Sequence, residues 1–308
     1  MSAGRYAPSP TGELHLGNLR TALIAWAYAR STGRDFYLRL EDLDRQRFRD
    51  PQSQIDDLEE LGIDWDGDIV VQSERLDRYQ SAIDALRERD LVFECYCSRR
   101  DIREAASAAH APPGHYPGTC LRLSEGVALR RRAELADRGL QPALRLRPTA
   151  ANWTITDMGR GRFTGPTDSA VLQRGDGAFA YNLAVVVDDI AMGVDQVVRA
   201  DDLLASSPLQ AYLTHELGGV EPLYGHVPLV LGPTGRRLAK RDGAVTLREL
   251  HEAGLNTADV VQILAESLEL SKVRSAADFL EHFAKARLTG DPWTFLPPNT
   301  RPAAVSQE

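Results

Sequence analysis

The amino-acid sequence predicts an α/β protein: a parallel sheet of nucleotide-binding type, interrupted by an insertion and followed by a short helical region. Three observations predict it. A strand–loop–helix opens the chain over residues 5–18 (RYAPSPTGELHLGN). Strand-like and helical patterns then alternate to about residue 90, the order that gives a parallel sheet. From 91 to 146 the alternation is replaced by short extended pieces, a Pro/Gly-rich stretch at 112–118 and an arginine-rich helix, and beyond 147 it resumes.

In the opening stretch Pro8 and Pro10 hold the turn extended, and Gly12 and Gly17 let the backbone approach something bulky. A helix follows, in which Leu19, Leu23, Trp26 and Ala27 share a face. Its start turns unpaired N–H groups and the positive end of its dipole toward the loop, a site suited to phosphate. The stretch has neither the lysine of GxxxxGK[ST] nor GxGxxG, which excludes the P-loop and the dinucleotide fingerprint. What remains is an imidazole, His15, and a carboxamide, Asn18, at the helix start.

Residues 35–41 read as a strand with Phe36, Leu38 and Leu40 on one face. Glu41 therefore sits at a carboxyl strand end, where open α/β sheets line their ligand crevice. Helical patterns at 53–61 and 76–89 flank a strand-like piece at 69–71. A hairpin is expected over 153–163, a turn at 175–177, a buried helix over 181–190, apolar nearly all round and ending in Asp188-Asp189, and a strand over 196–199. A helix at 206–217 has Pro208 near its start, and a last apolar strand is expected at 227–231 before the loop GPTGRRLAKRDG. From 247 the pattern is helical. The organisation expected is residues 1–90 and 147–246 as two halves of a nucleotide-binding domain, 91–146 as the insertion, and 247–308 as the helical end.

A chain of 308 residues, 43% hydrophobic and 26% charged, has the make-up of a water-soluble globular protein. No apolar run approaches the roughly 20 residues of a membrane span, and no leader pattern opens the chain, so the expected compartment is the cytoplasm. A net charge of −8 disfavours nonspecific nucleic-acid binding. An RNA partner would need a local basic surface, for which Arg99, Arg100 and Arg103, Arg130–Arg132, and Arg145 with Arg147 are the candidates. Positive charge is almost all arginine, so Lys240 in its glycine-bounded loop is singled out as a point charge for phosphate. Cys95, Cys97 and Cys120 have the spacing of part of a zinc site rather than of disulfides. Ligand chemistry prefers His115 or His110 as the fourth donor.

PSPTGELHLGN resembles the ATP-binding signature of class I aminoacyl-tRNA synthetases, usually His-Ile-Gly-His. With Asn18 in the last place it is similar to that of glutamyl-tRNA synthetases and their short relatives, the glutamyl-Q tRNA(Asp) synthetases. Arg237-Leu238-Ala239-Lys240-Arg241 resembles the second class signature, Lys-Met-Ser-Lys-Ser, with arginine for the first lysine and alanine for the serine. The resemblance implies a class I synthetase fold, a Rossmann-type parallel sheet with a zinc-containing insertion. It implies His15, Asn18 and Lys240 as catalytic, with ATP, taken up with Mg²⁺, held by Pro8, Ser9, Gly12, His15, Gly17, Asn18 and residues 237–241. It implies Arg5, Ala7, Ser9, Glu41, Tyr181 and Arg199 around L-glutamate. Arginines suit a diacid and one carboxylate suits its ammonium group. CYC with YPGTC is similar to the zinc ligands of the short relatives, which makes Tyr116 the fourth ligand beside Cys95, Cys97 and Cys120. Sixty-seven residues follow Arg241, too few for the helical anticodon-binding region of a full glutamyl-tRNA synthetase. RADDLLASSP is also closer to the short form. The expected activity is therefore tRNA-independent glutamate activation and transfer to queuosine in tRNA(Asp), by a monomer.

Overall fold

β1 (Ala3–Tyr6) is buried along its whole length and lies where the two halves of the main sheet meet. The computed structural model describes residues 2–98, 100–102, 116–238, 245–288 and 290–297. β1 pairs in parallel with β2 (Asp35–Leu40), and β2 with the short β3 (Val70–Val71). On the other side β6 (Asn152–Asp157), β9 (Gln196–Ala200) and β10 (Leu223–Val227) are parallel, with β10 in the middle. β7 (Gly161–Pro166) adds an antiparallel edge to β6, the expected hairpin. The seam is a parallel bridge between Ala3 and Val194, with Asp195 N–H donating to the Ala3 carbonyl at 3.0 Å. The spatial order β3–β2–β1–β9–β10–β6–β7 thus reverses its connections between β1 and β9. A crevice opens at such a switch point, at the carboxyl strand ends.

α1 (Leu16–Ser31) links β1 to β2. The sequence pattern marks one apolar face, but Leu16, Ala22, Ile24, Ala25 and Ala29 are buried as well. The reason lies in the C-terminal helices, Thr257–Glu266 and Ala276–His282, whose Val260, Leu264 and Phe279 pack into the same core. A second, antiparallel sheet is formed by β4 (Val92–Cys95), β5 (Ala143–Leu146) and β8 (Val171–Gln173).

Two expectations need correction. The strand expected at 227–231 is two strands, β10 and then β11 (Val230–Leu231), because Pro228 has no N–H to continue a ladder. β11 turns away to pair with β12 (Trp293–Thr294). The helix Tyr181–Ala191 is buried from Leu183 to Asp188, but its first residue, Tyr181, stays 41% exposed.

Candidate active site

The crevice at the switch point is a cleft of about 540 Å³. Its walls come from the loop after β1 (Ala7, Pro8, Ser9, Gly12), the start of α1 (His15, Gly17, Asn18), Glu41 after β2, Arg199 on β9, and Tyr181 and Arg237. Arg5 completes the set. The loop is pinned from two sides. Glu41 N–H donates to the Pro8 carbonyl at 2.9 Å, and buried Gln54 donates to the carbonyls of Ser9 and Gly12. Gly12 has φ +140, a conformation side chains oppose.

His15 and Asn18 cap α1 reciprocally. His15 Nδ1 accepts from Asn18 N–H at 3.2 Å, and Asn18 Oδ1 accepts from His15 N–H at 3.3 Å. Burial, then the positive charge of Arg237, lowers the His15 pKa, so the ring is neutral near pH 7. Because Nδ1 accepts, the proton sits on Nε2, a donor beside the helix N-terminus. Gly17 is explained by the same ring: a Cβ there would lie 3.0 Å from His15 Cε1 and 3.1 Å from Nδ1.

The second part of the site is a buried charge network. Arg5 Nε meets Asp189 Oδ1 at 3.4 Å, and its Nη1 donates to the carbonyl of Val198, the residue before Arg199. Arg39, with no solvent exposure, joins Asp189 at 2.7 Å and Glu41 at 3.1 Å. Burial opposes ionisation of Asp189, but Arg39 and Arg5 outweigh it and hold its pKa below the usual carboxylate range. At Glu41 burial prevails over the same two arginines and the pKa rises. Arg39 and Asp189 escape a reading of the sequence for sites. The available signal is that Arg39 alternates onto the same strand face as Glu41, away from Phe36, Leu38 and Leu40.

Arg199 is buried and heavily engaged. Nε donates to His226 Nε2 at 3.3 Å, Nη1 to Gln210 Oε1 at 2.7 Å, and Nη2 to Ser207 Oγ at 2.7 Å and the Leu203 carbonyl at 3.4 Å. Four of its five N–H groups are thereby used. Arg199 offers a ligand one N–H and a positive charge, not a free two-pronged fork.

Ala239, Lys240 and Arg241 lie outside the described residues, but both flanks of their loop are anchored at the cleft. Arg237 lines the cleft and pairs with Asp202. The Leu238 side chain is packed into the core rather than the cleft, and its N–H donates to the Val230 carbonyl at 2.9 Å. On the far side Val245 accepts from Leu16 N–H at 2.7 Å, next to His15.

Away from the cleft, Cys95, Cys97 and Cys120 bring their sulfurs within 4.8 Å of one another. Tyr116 Oη lies 3.5 Å from Cys95 Sγ and accepts from Cys120 N–H at 2.8 Å. Sulfurs on a tetrahedral Zn²⁺, each about 2.3 Å from it, are of similar separation, so this donor set fits a metal ion. His110 and His115 lie outside the described residues. Of the basic clusters, Arg130–Arg132 are exposed. Arg145 is not: it is buried, donates to the Ser169 carbonyl at 2.7 Å and stacks 4.1 Å over the Tyr116 ring. It serves this small core rather than a basic surface. Arg99 and Arg103 lie outside the described residues.

The site is a switch-point crevice at the carboxyl strand ends, with a capped helix start and Arg237 on its walls. The family model "tRNA synthetases class I (E and Q), catalytic domain" matches residues 3–272, so the chain has the catalytic domain of a class I aminoacyl-tRNA synthetase, a ligase. Among curated relatives, the glutamyl-Q tRNA(Asp) synthetase of Nocardia farcinica is 56% identical over 94% of this chain and 92% of its own. That of Cutibacterium acnes is 48% identical, over 92% and 80%. The crystal structure of glutamate-tRNA synthetase from Elizabethkingia anophelis superposes with a TM-score of 0.81 at 25% identity, covering 96% of this chain and 68% of that one. The chain belongs to the glutamyl-Q tRNA(Asp) synthetase family. Among the described residues no helix is long and apolar enough to cross a membrane.

Proposed function

We propose that the cleft activates L-glutamate with ATP, forming glutamyl-adenylate without tRNA, and that the glutamate passes to the queuosine base of tRNA(Asp). The observation that carries this reading is that one cleft is lined by the capped start of α1, by the buried Arg5 and Arg199, and by the half-buried Glu41. The glutamate α-carboxylate attacks the α-phosphate of Mg²⁺-bound ATP and pyrophosphate leaves. Such a transfer needs positioning and charge stabilisation, with no protein nucleophile. His15 Nε2–H, the Asn18 amide and the helix start donate to phosphate oxygens, and Lys240 and Arg237 bring charge from the loop. Arg5 and Arg199 hold the substrate's side-chain carboxylate. Glu41 faces its ammonium group, and the Tyr181 hydroxyl orients it. A hydroxyl of the queuosine cyclopentenediol then takes the acyl group and AMP leaves. We place the enzyme in the cytoplasm as a monomer.

Glutamate-dependent ATP–pyrophosphate exchange in the absence of tRNA is the expected first result. Acylation is then compared on tRNA(Asp) with and without queuosine. Only the modified tRNA should be charged, and equal charging of an unmodified transcript would reassign the acceptor to a tRNA 3′ end. Absence of any exchange would leave a non-catalytic, tRNA-binding relative.

Structural Zn²⁺ on Cys95, Cys97, Tyr116 and Cys120 is part of the same proposal. The ion would neutralise crowded thiolates and brace the second sheet against RNA. Metal analysis should find Zn²⁺ in the wild type and little in Cys97→Ala. That variant should melt lower by about 5 °C or more while retaining most tRNA-independent exchange. Equal metal content in both proteins would dismiss the site.

A further inference from the structure

Behind Arg199 lies a buried chain of hydrogen bonds that the proposed chemistry does not use. Asp157 Oδ2 accepts from the His226 backbone N–H at 3.0 Å and faces His226 Nδ1 at 2.6 Å. On the far side of the ring, His226 Nε2 lies 3.0 Å from Ser207 Oγ and receives Arg199 Nε at 3.3 Å. The order serine, histidine, aspartate is that of a hydrolase triad, but Ser207 has no exposure and Asp157 only 2%. No substrate reaches this serine, so nucleophilic use is excluded, and the network acts on what adjoins it.

That neighbour is Arg199. A carboxylate only accepts, so Asp157 keeps the ring proton on Nδ1 and leaves Nε2 as a lone pair. Burial lowers the His226 pKa against the pull of Asp157, which keeps the ring neutral. A lone pair at Nε2 can receive the Arg199 Nε–H, whereas an N–H there would set two donors against each other. Ser207 closes the frame, since its Oγ receives Nη2 of the same guanidinium. With Gln210 on Nη1, the plane of Arg199 is defined at three of its corners. Gln210 is itself held by Asn182, to whose Oδ1 it donates at 2.9 Å.

We infer that His226 is a positioning residue: its Nε2 lone pair, set by Asp157 and shared with Ser207, orients Arg199 toward the carboxylate of the amino-acid substrate. This rests on the functional reading above and deepens it. Loss of the lone pair lets the guanidinium rotate, which weakens binding of the amino acid and leaves the nucleotide side alone.

The test compares His226→Asn, which retains an N–H for Asp157 but has nothing at the Nε2 position, with His226→Gln, whose longer side chain returns an acceptor there. In glutamate-dependent ATP–pyrophosphate exchange, His226→Asn is expected to raise KM for glutamate about tenfold or more, with KM for ATP within twofold. His226→Gln should recover most of that loss. Ser207→Ala provides an independent reading should His226→Asn not fold: KM for glutamate should rise severalfold, again without change for ATP. An unchanged glutamate KM in folded His226→Asn or in Ser207→Ala overturns the inference, as does a parallel rise in both KM values. Wild-type protein with no glutamate-dependent exchange would instead remove the functional reading on which it stands.

Discussion

An Arg5→Ala variant is expected to lose about 10²- to 10³-fold in kcat/KM for glutamate, since removing one partner of a buried, hydrogen-bonded charge pair costs about 2–5 kcal/mol. The loss should fall on binding rather than on the fold. Asp189, which Arg5 contacts at 3.4 Å, retains the shorter bond to Arg39 at 2.7 Å and is not left as an orphaned charge. The Val198 carbonyl loses its side-chain donor but remains part of β9. What disappears without replacement is a cation lining the cleft beside Arg199, which has one N–H left to offer. The measurement is tRNA-independent exchange at varied glutamate, with melting temperature as a control. A KM for glutamate within threefold of wild type would mean that the carboxylate binds elsewhere.

Lys240→Ala should lower exchange by a comparable factor, about 10²-fold or more, the cost of removing one group that stabilises developing transition-state charge. This effect should appear mainly in kcat, because the pyrophosphate gains charge as it leaves. Fold and metal content should not change: Leu238 remains in the core and Val245 remains bonded to Leu16. Near-normal exchange by this variant would place the triphosphate away from the loop.

Much of the architecture is legible in the sequence because it is local. The strand–loop–helix at the start, Glu41 at a strand end and the strand carrying Arg199 all follow from short-range pattern, and all three border one cleft. Long-range partnerships are not legible in this way. Arg39 and Asp189 are 150 positions apart, and no periodicity indicates that they meet. Arg145 has the sequence appearance of a surface arginine, yet a facing tyrosine ring and one carbonyl suffice to bury it. The break at Pro228 carries its own signal, a residue unable to donate within an apolar run, and that signal was available. Tyr181 shows the limit of apolar pattern, since a helix apolar nearly all round still opens its first turn onto the cleft.

The seam between β1 and β9 has a consequence for biogenesis. Ala3 and Asp195 are 192 positions apart, and every side chain proposed for the amino acid comes from one flank of that junction or the other. During synthesis on the ribosome the N-terminal half emerges with Arg5 and Arg39 lacking their shared aspartate, Asp189, and it waits while the whole intervening chain is made. Closing so long a loop is entropically slow, and half-made α/β sheets expose unpaired edges. Nascent chains should therefore gain protease resistance in one late step, only after the strand bearing Arg199 has left the exit tunnel.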